Sequence, residues 1–142
     1  MTYRTRHRQA VQETYAEVAE LRNFTFNSPC WLAELGGCRG RDTAEHILRE
    51  QRLRTWRATL TQRRMNGENL TDGQLHFLAT PMEDILADPR NGEISCANHN
   101  QVGSKRANGI DVRPFLPPAF DTFVLEYDLG WVVETELGIA YD

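Results

Sequence analysis

The stretch from Asp42 to Met65 constrains the fold more than any other part of the chain, because a helical pattern runs along its whole length. Asp42 with Glu45 forms a capping-box pattern, and Asn66-Gly67 supplies a stop signal. No proline or glycine interrupts the residues between them. We therefore predict one long helix from Asp42 to Met65.

One side of this predicted helix is apolar, and its borders are basic. Leu53, Trp56 and Leu60 recur at helical spacing. Arg52 lies four residues before Trp56, close enough to stack on its ring. We expect the Leu/Trp stripe to dock on the rest of the chain and the guanidinium groups to stay at the surface.

Length and composition favour a single domain that builds its own core. The chain has 142 residues, of which 40% are hydrophobic, so it needs neither disulfides nor a metal to fold. No apolar run approaches the roughly 20 residues of a membrane span, and the basic N-terminus lacks the apolar region of a secretory signal. Three cysteines, an odd number, favour reduced thiols and a cytoplasmic location.

Charge is distributed unevenly along the chain. Residues 1–66 carry twelve arginines against seven acids, whereas residues 115–142 carry six acids and no basic residue. Lys105 is the only lysine. Arginine suits bidentate contacts with phosphate or carboxylate groups, although the net charge of −4 disfavours a non-specific nucleic-acid binder.

Other segments complete an α+β domain. An amphipathic helix is predicted from about Arg4 to Arg22, and the capping signals Thr71/Gln74 and Thr80-Pro81 predict two short helices that end near Ala79 and Ala87. Residues 88–118 have no periodicity, which is typical of a functional loop, with a short strand at 92–96 or 110–113 as the alternative.

The C-terminal segment alternates apolar and polar residues. Phe123, Leu125 and Tyr127 would share one face of a strand, and Trp131 and Val133 would share the facing side of the next. We therefore predict a β-hairpin. The fold class is then α+β, with two longer and one or two short helices on a small antiparallel sheet, in one domain over residues 1–142: helical 1–87, irregular 88–118 and β-hairpin 119–142.

Three cysteines and one histidine are candidate zinc ligands: Cys30, Cys38, Cys96 and His99. Zinc sites normally contain a tight pair such as C-x2-C, and here only Cys96 and His99 are closely spaced. The spacing therefore favours buried free thiols, and we expect no cofactor. If a metal site exists, these four residues are its ligands.

Catalytic motifs are absent from the sequence, so we expect a protein that is not an enzyme. Cys96 and His99 lack a third group that would orient a nucleophile and its base. Gly103-Ser104-Lys105 lacks the earlier glycine of a phosphate-binding loop. An enzyme with a site in residues 88–118 remains an alternative.

The expected function is stoichiometric binding to a macromolecular partner, as in small regulators and inhibitors from phages and mobile elements. The partner is an acidic protein surface or a nucleoprotein. Alternatives are a nucleic-acid-binding protein and a virion or assembly subunit that uses the acidic hairpin face. The predicted contact surface is the arginine-bordered helix with the loop after Ser95, and its residues are Arg49, Arg52, Trp56, Arg57, Arg63, Arg64, Lys105 and Arg106.

Overall fold

The computed structural model of the protein describes residues 1–101 and 105–141. Its described residues form a mostly helical α+β fold with one two-stranded antiparallel sheet. Among them, no helix is both long and apolar enough to cross a membrane. In chain order the elements are α1 Tyr3–Ala16, α2 Ala19–Phe26, β1 Thr43–His46, α3 Glu50–Met65, α4 Asp72–Ala79, α5 Met82–Ala87, β2 Gly92–Ser95, α6 Ala97–Asn100, α7 Pro118–Tyr127 and α8 Gly130–Leu137.

The sheet joins two segments that are distant in sequence. Thr43 pairs with Ser95, and His46 pairs with Gly92. Helix α1 packs directly on this sheet, because a Cβ atom added at Gly92 would lie 2.4 Å from Val11 Cγ2 and 2.6 Å from His7 Nε2. Gly92 is therefore required for the close approach of α1 to β2.

The helix predicted from Asp42 to Met65 is shorter in the structure, because the first residues of that segment form a strand. Thr43–His46 forms β1, and the helix begins only at Glu50. Pairing with β2 outweighs the local capping signal of Asp42 and Glu45, and Glu45 is buried beneath the sheet. Asn91 fixes the turn between strand and helix, because its side chain accepts from the N–H of Leu48 at 2.7 Å and donates to the carbonyl of Leu48 at 3.0 Å.

The predicted C-terminal hairpin is wrong, because residues 118–127 and 130–137 are helices. The buried residues of α7 are Phe120, Phe123, Val124 and Tyr127, which is helical spacing. Leu125 and Trp131, which the strand alternation placed on the core face, are 61% and 47% exposed. Residues 119–142 therefore form no sheet within the described part of the chain.

Several smaller predictions hold. Helix α4 carries the predicted capping box of Thr71 and Gln74 and ends at Ala79, and α5 ends at Ala87. The alternative strand in the irregular region is β2. The predicted N-terminal helix is divided into α1 and α2, and α2 has no buried side chain.

The core lies between α3 and the C-terminal helices. Leu53, Trp56 and Leu60 are buried, as the stripe on α3 predicts. Trp56 stacks on Trp131 of α8 with ring centroids 4.6 Å apart. Helix α3 therefore packs on α4 and α8 rather than on a hairpin.

Candidate metal centre

Four potential metal ligands converge at one point beside the sheet. They are Cys30, Cys38, Cys96 and His99, and their ligand atoms all lie within 4.8 Å of one another. Cys30, Cys96 and His99 are buried, and Cys38 is half-buried. The fold thus brings together the four residues named from the sequence, although their spacing lacks a tight cysteine pair.

The distances within this cluster match metal coordination better than hydrogen bonding. His99 Nδ1 lies 3.4 Å from the Sγ of Cys30, 3.6 Å from that of Cys38 and 3.2 Å from that of Cys96. A ring nitrogen carries one lone pair or one hydrogen, so it cannot make three such hydrogen bonds at once. Zinc with bonds of roughly 2.3 Å to sulfur and 2.0 Å to nitrogen places those ligands about 3.5 Å apart in a tetrahedron.

Local structure explains how two of the ligands meet. Cys96 is the N-cap of α6, and its Sγ accepts the backbone N–H of His99 at 3.4 Å. One helical turn therefore places the Cys96 and His99 side chains on the same side. This geometry follows from the C-x2-H spacing, the one tight pair that the sequence offered.

The other two ligands, Cys30 and Cys38, lie in a loop that hydrogen bonds attach to β2 and α6. The backbone N–H of Trp31 donates to the carbonyl of Ile94 at 2.9 Å, which ties the chain at Cys30 to β2. Asn98 donates its side-chain N–H to the carbonyl of Gly37 at 2.7 Å and its backbone N–H to that of Arg39 at 3.0 Å. The loop carrying Cys38 is therefore bonded on both sides of the cysteine.

Burial affects the protonation of the four ligands. It raises the pKa of Cys30 to about 12, raises that of Cys38 and lowers that of His99. Burial would also raise the pKa of Cys96, but backbone N–H donors from His99 and Arg39 lower it overall. At neutral pH a lowered pKa favours the neutral form of His99, which a metal ligand needs, and the thiols would release their protons to solvent when a metal binds.

The donor set fits zinc and a structural role. Three sulfur atoms and one imidazole nitrogen form a common zinc set. Four protein ligands close the tetrahedron, whereas catalytic zinc keeps one position open for water or substrate. The arrangement therefore suits holding the fold together.

Lys105 and Glu45 form a buried ion pair beside the four-ligand cluster, which sequence reasoning did not predict. Lys105, which was expected at the contact surface, is 6% exposed. Its Nζ donates to the carbonyl of His99 at 3.1 Å and to Glu45 at 3.2 Å, and Trp31 also donates to Glu45. The sequence feature that could have indicated this ion pair is the position of the single lysine, six residues after His99.

One carboxylate of the chain pairs with two arginines at the start of α3: Arg49, which is the N-cap, and Arg52. Arg49 donates to both oxygens of Glu136 at 2.7 and 2.9 Å, and Arg52 donates to the same group at 3.0 Å. Glu136 is 1% exposed, and although burial would raise its pKa, hydrogen bonds from the two arginines lower it. These two guanidinium groups are therefore occupied within the chain.

The remaining residues of the predicted contact surface are also mostly engaged. Arg57 donates to backbone carbonyls at the end of α4, and Arg63 pairs with Glu68 at 3.4 Å. Arg106 donates to the backbone carbonyl of Glu134 at 3.2 Å. Arg64 is exposed and has no ion pair within the described residues. The structure therefore gives this surface little free positive charge.

The chain matches no protein-family model, no curated protein and no solved structure.

Proposed function

We propose that this protein is a non-enzymatic binding protein organised around a structural zinc centre, and that it acts by stoichiometric binding to an anionic macromolecular partner. The observation that supports the metal centre is the approach of three thiol groups to one nitrogen atom of His99, at 3.2–3.6 Å. Zinc would connect three separate segments, those at Cys30, at Cys38 and at Cys96.

Two observations favour binding over catalysis. A closed set of four protein ligands leaves no coordination position for a reacting group. Residues 88–118 contain a single cysteine and a single histidine, Cys96 and His99, and both face the proposed metal. A catalytic site in that segment that used a cysteine or a histidine would compete with the metal for the same side chains.

A role as an assembly subunit has less support. That alternative required an acidic sheet face formed by Glu126, Glu134 and Glu136. Glu136 is buried against two arginines, and Glu126 pairs with Arg90 at 2.9 Å. An intracellular location suits the proposal, because the ligand thiols must stay reduced.

Metal analysis of the protein purified without chelator tests the zinc centre. We expect one zinc ion per chain, and a Co²⁺-substituted sample should give the absorption spectrum of a tetrahedral site with thiolate ligands. Cys96→Ser and His99→Ala should each lower the zinc content severalfold, since four ligands form the site. His76→Ala is the matched control, because His76 is an exposed histidine outside the cluster.

A zinc content near zero in the wild-type protein would contradict the proposal. An equal loss of zinc in His76→Ala and His99→Ala would contradict it as well, because metal binding would then not involve the cluster.

A further inference from the structure

A cleft of about 430 Å³ opens beside the metal centre, between α1 and the loop that leads into β1. We call it the arginine cleft. Its lining includes Arg8, Gln12, Arg41, Asp42, Asn100 and Gln101. Side chains from α1, the metal-binding loop and α6 therefore face one common space.

The two arginines of the cleft have no partner within the part of the chain that the structure describes. Arg8 and Arg41 are exposed, and neither has a carboxylate within 4 Å among residues 1–101 and 105–141. Asp42 contributes one carboxylate to the lining. Both positive charges are therefore available to a ligand, unlike those of Arg49 and Arg52 on α3.

The wall of the cleft that carries Arg41 is bonded to α6, the helical turn between two of the candidate metal ligands. The carbonyl of Arg39 accepts the backbone N–H of Asn98, between the ligands Cys96 and His99. Gly40 has φ +82°, and a Cβ added there would lie 2.7 Å from Cβ of Ala97. The loop is thus packed tightly on α6, which reduces the entropy that Arg41 would lose on binding.

The net charge of −4 does not describe the surface around this cleft. Four acids of the described C-terminal segment lie on α7 or α8. Helix α7 packs on α4 and α8 packs on α3, whereas α1 packs on α5 and the sheet. Glu126 and Glu136 already pair with arginines of the same chain. The lining of the cleft itself carries two arginines and one carboxylate, that of Asp42.

We propose that the arginine cleft binds nucleic acid, with Arg8 and Arg41 contacting phosphate groups. Guanidinium groups are the usual phosphate ligands, and amide side chains can pair with base edges. Gln12, Asn100 and Gln101 place three side-chain amides beside the two arginines. Nucleic acid offers both kinds of partner, phosphate groups for the arginines and base edges for the amides. The inference rests on the proposed function, because the metal centre positions Arg41.

Fluorescence anisotropy with the zinc-loaded protein tests this inference. The probes are a labelled 20-base-pair DNA duplex, the corresponding single-stranded DNA and the corresponding RNA, each titrated at several salt concentrations. We expect at least one probe to bind, with an affinity that falls steeply as salt rises. Arg8→Glu with Arg41→Glu should weaken that binding at least tenfold and lower the salt slope by about 2.

Two variants control for charge and for folding. Arg64→Glu makes the same change of sign at an exposed arginine of α3, and we expect it to leave the affinity within a factor of about 2. Arg8→Gln with Arg41→Gln removes the charges without reversing them and should give an intermediate loss. The zinc content of every variant is measured on the same sample.

The outcomes separate the two proposals. Full zinc content without binding to any of the three probes overturns the cleft inference and leaves the metal centre standing. Binding that Arg64→Glu weakens as much as the cleft variants overturns it too. The remaining test is displacement of the bound probe by poly-glutamate. If poly-glutamate and unlabelled DNA displace the probe at the same concentration of negative charge, the cleft binds acidic protein, and the nucleic-acid inference is overturned.

Discussion

The two arginines at the start of α3 and the two of the arginine cleft are the same residue type in opposite electrostatic situations. Arg49 and Arg52 share the buried carboxylate of Glu136, whereas Arg8 and Arg41 have no carboxylate partner within the described residues. The helix that looked most like a binding surface uses its charges to hold α8. A count of arginines therefore does not locate a binding surface, because the carboxylate that neutralises Arg49 is 87 residues away in sequence.

Metal removal should have the largest effect of these tests, because it should destabilise the segments around the metal centre, including the loop that carries Arg41, and spare the core around α3. Treatment with a strong chelator should remove hydrogen-exchange protection from residues 30–41 and 92–100 and cost at least about 4 kcal/mol of stability, because the proposed zinc ion would hold these segments together. Protection in α3 and α7 should largely persist, because Leu53 and Phe123 are fully buried in the apolar core. Hydrogen exchange followed by mass spectrometry measures both regions in one experiment.

Zinc added back should restore the lost protection. Unchanged hydrogen exchange in residues 30–41 after complete metal removal would show that these segments do not depend on the metal any more than the core around α3 does.

Acid should loosen the helix that carries Arg8. His7 stacks on His46 at 3.9 Å, and its pKa is lowered from 6.5 to about 4, first by burial and then by His46, against opposing effects of the Asn91 carbonyl and Asp88. Between pH 4 and pH 6.5, His7 binds a proton more readily in the unfolded chain than in the folded chain. The contribution of His7 to stability is therefore fully present above pH 6.5 and is lost as the pH falls to about 4. The loss attributable to His7 should be about 3 kcal/mol.

Urea unfolding at several pH values measures this loss. The control is His7→Leu, whose stability should change less between pH 6.5 and 4 than that of the wild type. Identical pH dependence in the two proteins would show that His7 does not hold α1 in place.

The smallest expected effect concerns the carboxylate that neutralises α3. Glu136→Gln should destabilise the protein by about 2 kcal/mol, because it leaves Arg49 and Arg52 without a charged partner. Both arginine side chains are about a third exposed, at 36% and 32%, so water limits the cost. Glu134→Gln, at an exposed position of the same helix, is the control and should cost less than about 0.5 kcal/mol.

Thermal unfolding compares the two variants at one pH. Equal destabilisation would mean that the α3 arginines do not depend on Glu136, and they would then resemble those of the cleft.

Local signals in the sequence predicted the elements that local interactions determine. The capping box of Thr71 and Gln74 gave α4 with its correct end, and the stripe of Leu53, Trp56 and Leu60 gave the buried side of α3. Both features depend on residues within one or two helical turns of each other. Such contacts survive in the fold because no distant strand competes for the same backbone groups.

Tertiary contacts decided where the sequence prediction failed. Thr43–His46 has a helical capping signal but pairs with β2, and the C-terminal residues satisfy a strand alternation and a helical period at once. Spacing alone also disfavoured the metal cluster, because Cys30 and Cys38 reach Cys96 only through the fold. The four ligand residues were identifiable from the sequence, whereas their convergence was not.

X-ray absorption at the zinc edge tests the central claim most directly, because it reads the atoms bound to the metal. The structure predicts three sulfur neighbours at about 2.3 Å and one nitrogen at about 2.0 Å in the purified protein. A first shell made of oxygen and nitrogen atoms alone, or a protein that holds no zinc, would contradict the account.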